Sequence, residues 1–347
     1  MIFRRLLYAP NVHQGGGKTL LTPLLEALKD ATDVAFILDE RIQLPEGFKF
    51  AGNVYYVKAT LASRLLFEWQ LRNLIGQDSL LLCMGNLPPL FAHQGHQMVF
   101  MQNRYLIDDI SLEFFSLLTR LRLMVERWWL RSRSSYVKDF IVQTATMQRL
   151  MKKALNIDAK ILPFTAGMAD IKLRDESDEK QYDFLYVASG EPHKNHERLI
   201  EAWMELAERG EFPSLCLTLD VARFPDLCGW INSVVKKHSL QIFILGECSH
   251  MEVMKLYNTS RALIFPSLFE SFGLPLIEAV MLGLPVLTGN LSFVIDVIRP
   301  TDQFDPLSPN SIADAVIRFS FEPAILSVKL FTVDEFLQQT LNRDDCI

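Results

Sequence analysis

The stretch Phe265-Pro-Ser-Leu-Phe-Glu-Ser-Phe-Gly-Leu-Pro-Leu-Ile-Glu-Ala279 links an apolar strand to a helix through a loop that carries Glu270 and Gly273. Proline suits the first turn of a helix, where its missing N–H leaves no hydrogen bond unmade, so the helix is predicted to begin at Pro275. The free amides and the positive dipole end of such a helix favour a bound anion. Glu278, one turn further on, is placed to reach a pair of hydroxyls beside a phosphate, as ribose or a sugar offers. The alternative is an ordinary strand-to-helix turn with a surface glutamate.

A second strand-to-helix turn has the same character. In Tyr186-Val-Ala-Ser-Gly-Glu-Pro-His-Lys-Asn-His-Glu-Arg-Leu-Ile200, Lys194 stands near the start of the predicted helix, where a cation does not stabilise the helix itself. A phosphate facing the lysine explains this position better, and the alternative is a solvated loop lysine. His193 and His196 lack the cysteine or carboxylate neighbours of a metal site, so no metal is expected.

Three glycines follow the first predicted strand, in His13-Gln-Gly-Gly-Gly-Lys-Thr19. A P-loop needs glycine five residues before the glycine of its Gly-Lys pair, and Val12 holds that position, which excludes this motif. Glycines at such a turn still permit close approach of the backbone to a ligand, and the alternative is a bare tight turn.

Short apolar runs alternate with helical patterns along almost the whole chain, which predicts parallel sheets flanked by helices. Runs such as Val34–Leu38 are apolar without alternation, as strands buried on both faces should be. The charged segment Asp170–Lys180 has no apolar period and favours a boundary between two α/β domains, residues 1–165 and 166–329. A last helix within residues 330–347 opens with the capping box Thr332-Val-Asp-Glu335 and is expected to cross back to the first domain.

The composition, with 347 residues of which 49% are hydrophobic and 22% charged, is typical of a globular chain and excludes long disorder. Every apolar run is well short of the roughly 18 residues of a transmembrane helix, and the N-terminal run is too short for a secretory signal. Five scattered cysteines never form a Cys-x-x-Cys pair, which favours reduced thiols in the cytoplasm over disulfides or a zinc site.

The net charge of −6 hides an asymmetry, because residues 1–165 carry +6 and residues 166–347 carry −12. The two halves either bind different partners or differ only in surface charge. Much of the positive excess lies in the basic, aromatic helix predicted over Leu112–Arg131. This helix suits an anionic membrane surface, and the alternative is a core-packed helix with a solvated basic face. The candidate membrane residues are Arg120, Arg127, Trp128, Trp129 and Arg131. No nucleic acid is expected, because the chain is acidic overall and has no recognition motif.

Together these segments resemble glycosyltransferase family 4, the retaining nucleotide-sugar glycosyltransferases of the GT-B fold. The resemblance runs from about Asp183 to Phe319, with a looser match in the first half through the strand-then-glycine opening and Phe140-Ile-Val-Gln-Thr144. The motifs that carry it are Leu185–Asn195, the turn and helix from Gly246 to Tyr257, the E-x7-E pair Glu270 and Glu278, Gly283-Leu-Pro-Val286, and Phe304-Asp-Pro306.

The resemblance implies two Rossmann-like, doubly wound domains facing a cleft, with the nucleotide sugar held by the C-terminal domain and the acceptor by the N-terminal one. It implies that Lys194 neutralises the diphosphate, that Glu278 binds the ribose and that Glu270 holds the donor sugar. The donor-binding residues that it implies are Gly15, Gly16, Ser189, Lys194, Gly246, Glu247, Glu270, Phe272, Gly273, Leu274 and Glu278. Transfer is expected by front-face displacement without a protein nucleophile, a metal or another cofactor.

Two positions depart from the family pattern. Ser189 stands where the family commonly has arginine, so one cation on the leaving diphosphate is expected to be missing or supplied from elsewhere. The family often has a histidine after a strand of the first domain, where this chain has Gln102 and Asn103. These two are the expected catalytic contacts beside Lys194 and Glu270, with His93 or His96 as the alternative.

The predicted activity is transfer of a hexose-type sugar from a UDP- or GDP-sugar to a lipid-linked or polysaccharide acceptor. The expected setting is bacterial O-antigen (lipopolysaccharide), capsule or exopolysaccharide synthesis, on the inner face of the plasma membrane. The alternatives are a nucleotide-sugar epimerase of the same fold and a non-catalytic partner protein that binds a nucleotide sugar.

Overall fold

A computed structural model describes residues 2–91, 94–113, 115–165 and 179–342. The chain forms two compact units, one of Met1–Gly167 with Lys329–Ile347 and the other of Met168–Val328.

The first unit is built on a parallel sheet with the strand order β3-β2-β1-β4-β5-β6-β7 in the part of the chain that the structure describes. The strands are β1 (Phe3–Ala9), β2 (Val34–Asp39), β3 (Asn53–Val57), β4 (Ile75–Cys83), β5 (His96–Phe100), β6 (Asp139–Val142) and β7 (Lys160–Ile161). The helices are α1 (Gly15–Leu28), α2 (Leu61–Leu71), α3 (Leu117–Arg133), α4 (Ala145–Leu155) and, at the end of the chain, α11 (Val333–Gln339). Chain order reverses at β1, which makes the sheet doubly wound.

The second unit repeats this plan, with the order β10-β9-β8-β11-β12-β14 among its described residues. Its strands are β8 (Tyr182–Tyr186), β9 (Leu215–Leu217), β10 (Ile242–Ile244), β11 (Ser260–Phe265), β12 (Val286–Gly289) and β14 (Asp302–Phe304). A separate antiparallel pair is formed by β13 (Ile298–Arg299) and β15 (Ile325–Leu326). The helices are α5 (His196–Glu208), α6 (Pro225–His238), α7 (His250–Thr259), α8 (Leu274–Met281), α9 (Ser292–Ile295) and α10 (Pro309–Ile317). Chain order reverses at β8, so the crevice beside the carboxyl ends of β8 and β11 is the expected place for a ligand.

Several helix boundaries differ from the prediction for local physical reasons. Helix α3 begins at Leu117 rather than Leu112, because the Ser116 hydroxyl caps it by accepting the Thr119 N–H. Helix α1 begins at Gly15, so the glycines form its first turn rather than the turn before it. The elements β7, β13, β14, β15 and α9 are too short to show a periodic pattern and were missed.

The C-terminal helix α11 packs on the first unit. Its capping box is confirmed, since the side chains of Thr332 and Glu335 each accept the other's backbone N–H. The fully buried Phe336 ring stacks on Phe164 with centroids 4.1 Å apart and meets Phe100 edge-on at 5.6 Å. The end of the chain therefore completes the core of the unit in which the chain began.

None of the helices in the described ranges has both the length and the apolar character needed to cross a bilayer.

Candidate active site

The centre of the second unit's site is an ion pair at the point where the strand order reverses. Lys194 follows β8 and Glu270 follows the neighbouring strand β11, and the Lys194 Nζ lies 2.6 Å from Glu270 Oε1. The two side chains are only 16% and 13% exposed, so solvent screens the pair little. The structure thus brings together two residues that are 76 positions apart in sequence.

The loop that carries Lys194 is held firmly. Asn195 adopts the left-handed conformation, with φ +60°, and its amide donates to the carbonyl oxygens of Pro266 (3.1 Å) and Pro306 (2.7 Å). The buried Tyr186 hydroxyl donates to the Lys194 carbonyl oxygen at 2.6 Å. Because the backbone on both sides of the lysine is anchored, its ammonium is positioned before any ligand arrives.

Glu278 lies in the middle of α8 and is buried. The Tyr257 hydroxyl donates to its Oε2 at 3.0 Å, and His250 Nδ1 stands 3.8 Å from its Oε1. Burial raises the pKa of Glu278, against the smaller lowering effects of His250 and Tyr257. A carboxylate fixed in this way is suited to accept hydrogen bonds from ligand hydroxyls at the start of the helix.

Gly273 sets the entry into α8. Its φ of +80° lies in the left-handed region, and a Cβ at this position would stand 3.1 Å from Leu276 Cδ1. Glycine alone meets both conditions without strain. Phe272 is buried, while Leu274 is half-buried at the first position of the helix.

A second cation, Arg223, lies near this site and was not predicted. Its Nη2 donates to Glu191 Oε1 at 2.7 Å, and the Ser189 hydroxyl donates to the same carboxylate. Arg223 follows β9, the neighbour of β8, and a Cβ on Gly190 would stand 2.5 Å from Phe224 Cγ, so the two loops are in close contact. The parallel pairing of β8 with β9 was the available signal, since it places the carboxyl ends of both strands at one edge.

The loop after the edge strand β10 carries the two remaining residues predicted in this unit. Gly246 has φ +86°, with no heavy atom within 4 Å of an added Cβ, and Glu247 is exposed. In the described part of the chain neither residue forms a hydrogen bond or ion pair with Lys194 or Glu270, so their donor-binding role stays a prediction.

The two histidines beside Lys194 are neutral at neutral pH. Burial, assisted by Lys194, lowers the pKa of His193 to about 4, and the ring stacks on Phe269 with centroids 4.6 Å apart. Burial lowers the pKa of His196 to about 3. Within the described ranges no three His, Cys, Asp or Glu side chains cluster in a way that suits a metal ion.

In the first unit the glycine turn and Gln102 lie close together. Gly15 and Gly16 are exposed, and Gln102 Oε1 stands 3.8 Å from the position of a Cβ on Gly17. Among the described residues, the buried Nε2 of Gln102 has no hydrogen-bond partner, which leaves it available to a ligand.

Asn103 has a local structural role. Its Oδ1 accepts the Tyr105 N–H and caps a short 3₁₀ turn, while its own N–H donates to Asn86 Oδ1. Asn86, a residue that the sequence did not single out, thus shapes this loop. His96 is not an alternative to Gln102, because it begins β5 at the opposite end of the strand and hydrogen-bonds Asp139 at 2.7 Å. His93 lies outside the described residues.

The residues predicted to contact a membrane are not all exposed. Trp128 is exposed, whereas Trp129 is half-buried and its indole N–H donates to the Pro88 carbonyl oxygen at 3.0 Å. Arg127 and Arg120 each donate to backbone carbonyl oxygens, while Arg131 is exposed.

The second unit matches a known family. Residues 169–326 match the family model described as glycosyl transferases group 1. This segment is similar to the glycosyltransferase domains of that family. It covers a little under half of the chain, and at the level of this domain the prediction of a glycosyltransferase is confirmed. The narrower assignment to family 4 with its E-x7-E motif stays a prediction.

Curated relatives match parts of the chain. Serotype-specific mannosyltransferase WbdA from Escherichia coli is 33% identical over 141 residues, which are 38% of this chain and 16% of that protein. O-antigen chain mannosyltransferase RfbU from Salmonella typhimurium is 24% identical over 207 residues, 56% of this chain and 57% of that protein. The chain thus matches well under two thirds of the length of these relatives.

The fold is shared with solved glycosyltransferase structures. Anabaena Alr3699/HepE, crystallised with UDP and glucose, has a TM-score of 0.69 and 13% identity, covering 91% of this chain and 89% of that one. At this identity the likeness concerns the fold, and it confirms the predicted GT-B class of two doubly wound α/β domains.

Proposed function

We propose that the chain transfers a hexose-type sugar from a nucleotide sugar, with UDP or GDP as the nucleotide, to a lipid-linked or polysaccharide acceptor in bacterial surface glycan synthesis. One observation carries the proposal. In a glycosyltransferase group 1 domain, Lys194 and Glu270 meet where the strand order reverses, next in the fold to the helix that presents the buried Glu278.

Each of these groups matches one part of a nucleotide sugar. Lys194 supplies the positive charge for the diphosphate, and the loop of Arg223 supplies a second one in place of the missing arginine at Ser189. When the phosphates take the ammonium of Lys194, Glu270 is released to accept hydrogen bonds from the sugar. Glu278 pairs with no lysine or arginine among the described residues, and it accepts hydrogen bonds from the ribose hydroxyls.

The reaction that suits this set needs no protein nucleophile. The bond from the anomeric carbon to the diphosphate oxygen breaks, and the acceptor oxygen bonds to the same face of the sugar. The acceptor's proton passes to the departing phosphate oxygen. Lys194 and the amides at the start of α8 stabilise the negative charge that develops on that oxygen, and no metal is required for this step.

The names of the relatives support the choice of sugar and acceptor. WbdA and RfbU are both named mannosyltransferases, and RfbU is named for the O-antigen chain. Mannose is therefore the first sugar to test, and O-antigen chains are the first acceptors to test. HepE was crystallised with UDP and glucose, so uridine donors also belong in the test.

The test is thermal stabilisation of the purified chain by a panel of UDP-, GDP- and ADP-sugars, followed by transfer assays with the donor that binds. A ligand at 100 times its Kd stabilises the native state by about 2.7 kcal/mol, so one matched donor should stand out. We expect Lys194→Ala and Glu278→Gln to weaken that donor at least about tenfold, because each removes a charged hydrogen bond worth roughly 1.5–3 kcal/mol. Lys236→Ala, on the exposed face of α6, is the matched control.

Full donor binding and full transfer in both variants would contradict the assignment of the site. Binding without transfer to any acceptor would favour the non-catalytic partner protein. Release of an altered nucleotide sugar without an acceptor would favour the epimerase.

A further inference from the structure

Helices α2 and α3 of the first unit leave a large apolar surface exposed. Six apolar side chains of α3 are 52–82% exposed, namely Leu117, Leu118, Leu121, Met124, Val125 and Trp128. Four apolar side chains of α2 are 39–76% exposed, namely Leu61, Leu65, Leu66 and Trp69. These ten residues are called the α2–α3 face below. Exposed apolar side chains concentrated on two helices mark an interaction surface rather than scattered surface residues.

The two helices present this face on the same side of the unit. The buried Leu71 of α2 and the buried Leu123 and Leu130 of α3 belong to one apolar cluster against one face of the sheet. The opposite sides of both helices, which carry the exposed residues, therefore point away from that sheet face.

A single short segment holds both helices in place. Glu68 of α2 accepts the Leu90 N–H at 2.8 Å, and Trp129 of α3 donates to the Pro88 carbonyl oxygen at 3.0 Å. Burial raises the pKa of Glu126 of α3, and Arg122 and Arg64 partly offset this rise. Arg64 belongs to α2, so the offset shows that it lies close to Glu126. The apolar stripes of α2 and α3 thus belong to neighbouring helices on a common support.

Arginines border the apolar stripe of α3 on both sides. With about 100° between successive helical residues, Arg120, Arg127 and Arg131 fall along one border, and Arg122 and Arg133 fall along the other. Glu126 is the one acidic residue of the helix, so α3 carries a net charge of +4.

Most of these charges are not neutralised by the groups that hold the arginines. Arg120 and Arg127 donate to neutral backbone carbonyl oxygens rather than to carboxylates. Arg122 lies 3.7 Å from Glu126 and is 67% exposed. The border of the stripe therefore attracts anions.

We propose that the α2–α3 face docks on an anionic lipid bilayer, with α3 lying in the membrane interface. An apolar stripe that enters the acyl region, flanked by arginines at the depth of the phosphates, is the arrangement that binds such a surface. The exposed rings of Trp69 and Trp128 are suited to the same interfacial depth. A second copy of the chain fits the face less well, because an isologous pairing would bring two helices of charge +4 together.

This inference goes beyond the proposed transfer reaction and does not depend on it. It explains why the apolar residues of α2, which the sequence did not single out, are exposed beside the basic helix. It also places the first unit at a bilayer, where a lipid-linked molecule is within reach.

The test is co-sedimentation of the full chain with vesicles of phosphatidylcholine alone, or of phosphatidylcholine with about one third phosphatidylglycerol. We expect binding to the anionic vesicles and little binding to the neutral ones. The variant Leu118→Gln, Leu121→Gln, Trp128→Gln and the variant Arg122→Glu, Arg131→Glu should each bind on the order of tenfold more weakly. All five side chains are exposed, so the fold is expected to persist, which circular dichroism checks.

Matched controls lie in the second unit. Phe212→Gln with Ile317→Gln removes exposed apolar side chains, and Lys236→Glu with Lys237→Glu makes the same change in net charge on α6. Both controls should bind anionic vesicles as the natural chain does.

Equal binding to both vesicle types, absence of binding, or unchanged binding in the two α3 variants would each overturn the proposal. A dimer in light scattering that the Leu118, Leu121, Trp128 variant dissociates, without vesicle binding by the natural chain, would assign the face to self-association instead. Nucleotide-sugar binding measured by thermal shift in the same variants reports separately on the proposed function.

Discussion

At the scale of single residues, the second unit holds its charges in pairs that a ligand can rearrange. Lys194 is neutralised by Glu270, and Arg223 by Glu191, so each of the two cations already has a carboxylate partner. An arriving diphosphate competes for both cations, which makes donor binding depend on breaking these pairs as well as on forming new contacts. Lys194 is largely buried while Arg223 is half-exposed, so a phosphate is expected to interact more strongly with Lys194 than with Arg223.

The buried His196 makes the second unit sensitive to acid. Burial lowers its folded pKa to about 3, whereas the unfolded value is about 6.5, so unfolding takes up a proton between these pH values. Stability therefore rises with pH through this window, by up to about 1.4 kcal/mol per pH unit. His196→Phe should flatten this dependence, as measured by urea unfolding at several pH values.

At neutral pH the same substitution should leave stability equal or raise it by about 1 kcal/mol, because in the structure as described neither ring nitrogen of His196 has a hydrogen-bond partner. Glu197→Gln, at an exposed neighbouring position, should retain the acid sensitivity of the natural chain. A steep acid dependence that survives in His196→Phe would assign it to other groups.

At the scale of elements, two short helices have specific roles, α8 in the second unit and α11 in the first. Helix α8 is eight residues long and begins close to Glu270, where Gly273 turns the chain in the left-handed conformation and Pro275, which has no N–H, occupies the first turn. Helix α11 is seven residues long and carries Phe336 into the core of the first unit. Neither helix is long enough to be stable alone, so both depend on tertiary packing.

Truncation of Phe336 tests the contribution of α11. The ring is fully buried between Phe164 and Phe100, so Phe336→Ala should lower the free energy of unfolding by about 3–5 kcal/mol through lost burial and a cavity. Urea unfolding with circular dichroism measures this change. Phe212→Ala, at a half-exposed position, should cost much less. A loss of under about 1 kcal/mol in Phe336→Ala would show that the packing of α11 is dispensable.

At the scale of the whole molecule, the charge is divided between the units. The chain is acidic overall, with −6, yet residues 1–165 carry +6 and α3 alone carries +4. An anionic surface therefore attracts the first unit and repels the second, which favours one orientation of the chain.

This division predicts that anionic vesicle binding depends strongly on salt. Raising the ionic strength from about 0.1 M to about 1 M shortens the Debye length from about 10 Å to about 3 Å, so the arginines of α3 lose most of their attraction. Binding of the natural chain should fall on the order of tenfold in co-sedimentation. The Arg122→Glu, Arg131→Glu variant, already weak, should change little, and salt-independent binding of the natural chain would contradict an electrostatic contribution.

The sequence by itself determined the elements and the local chemistry of the loops. Buried parallel strands show unbroken apolar runs, as in Val34–Leu38, and helix starts are marked by caps and prolines, as at Thr332 and Pro275. These signals act within a few residues, so neighbouring side chains alone specify them. Lys194, Glu270 and Glu278 were singled out in the same way, because the first two stand in strand-to-helix turns and Glu278 stands in the helix that follows one.

Only the tertiary structure decided which loops meet and which helix faces stay exposed. The proximity of Arg223 to the Ser189 loop follows from the pairing of β8 with β9, and the contact of Tyr257 with Glu278 follows from the placement of α7 beside α8. The apolar stripe of α3 looks like a core face in sequence, but Leu123 and Leu130 already fill the space against the sheet. Periodicity shows that a helix has an apolar side, and the packing of the whole unit decides whether that side faces the core or the solvent.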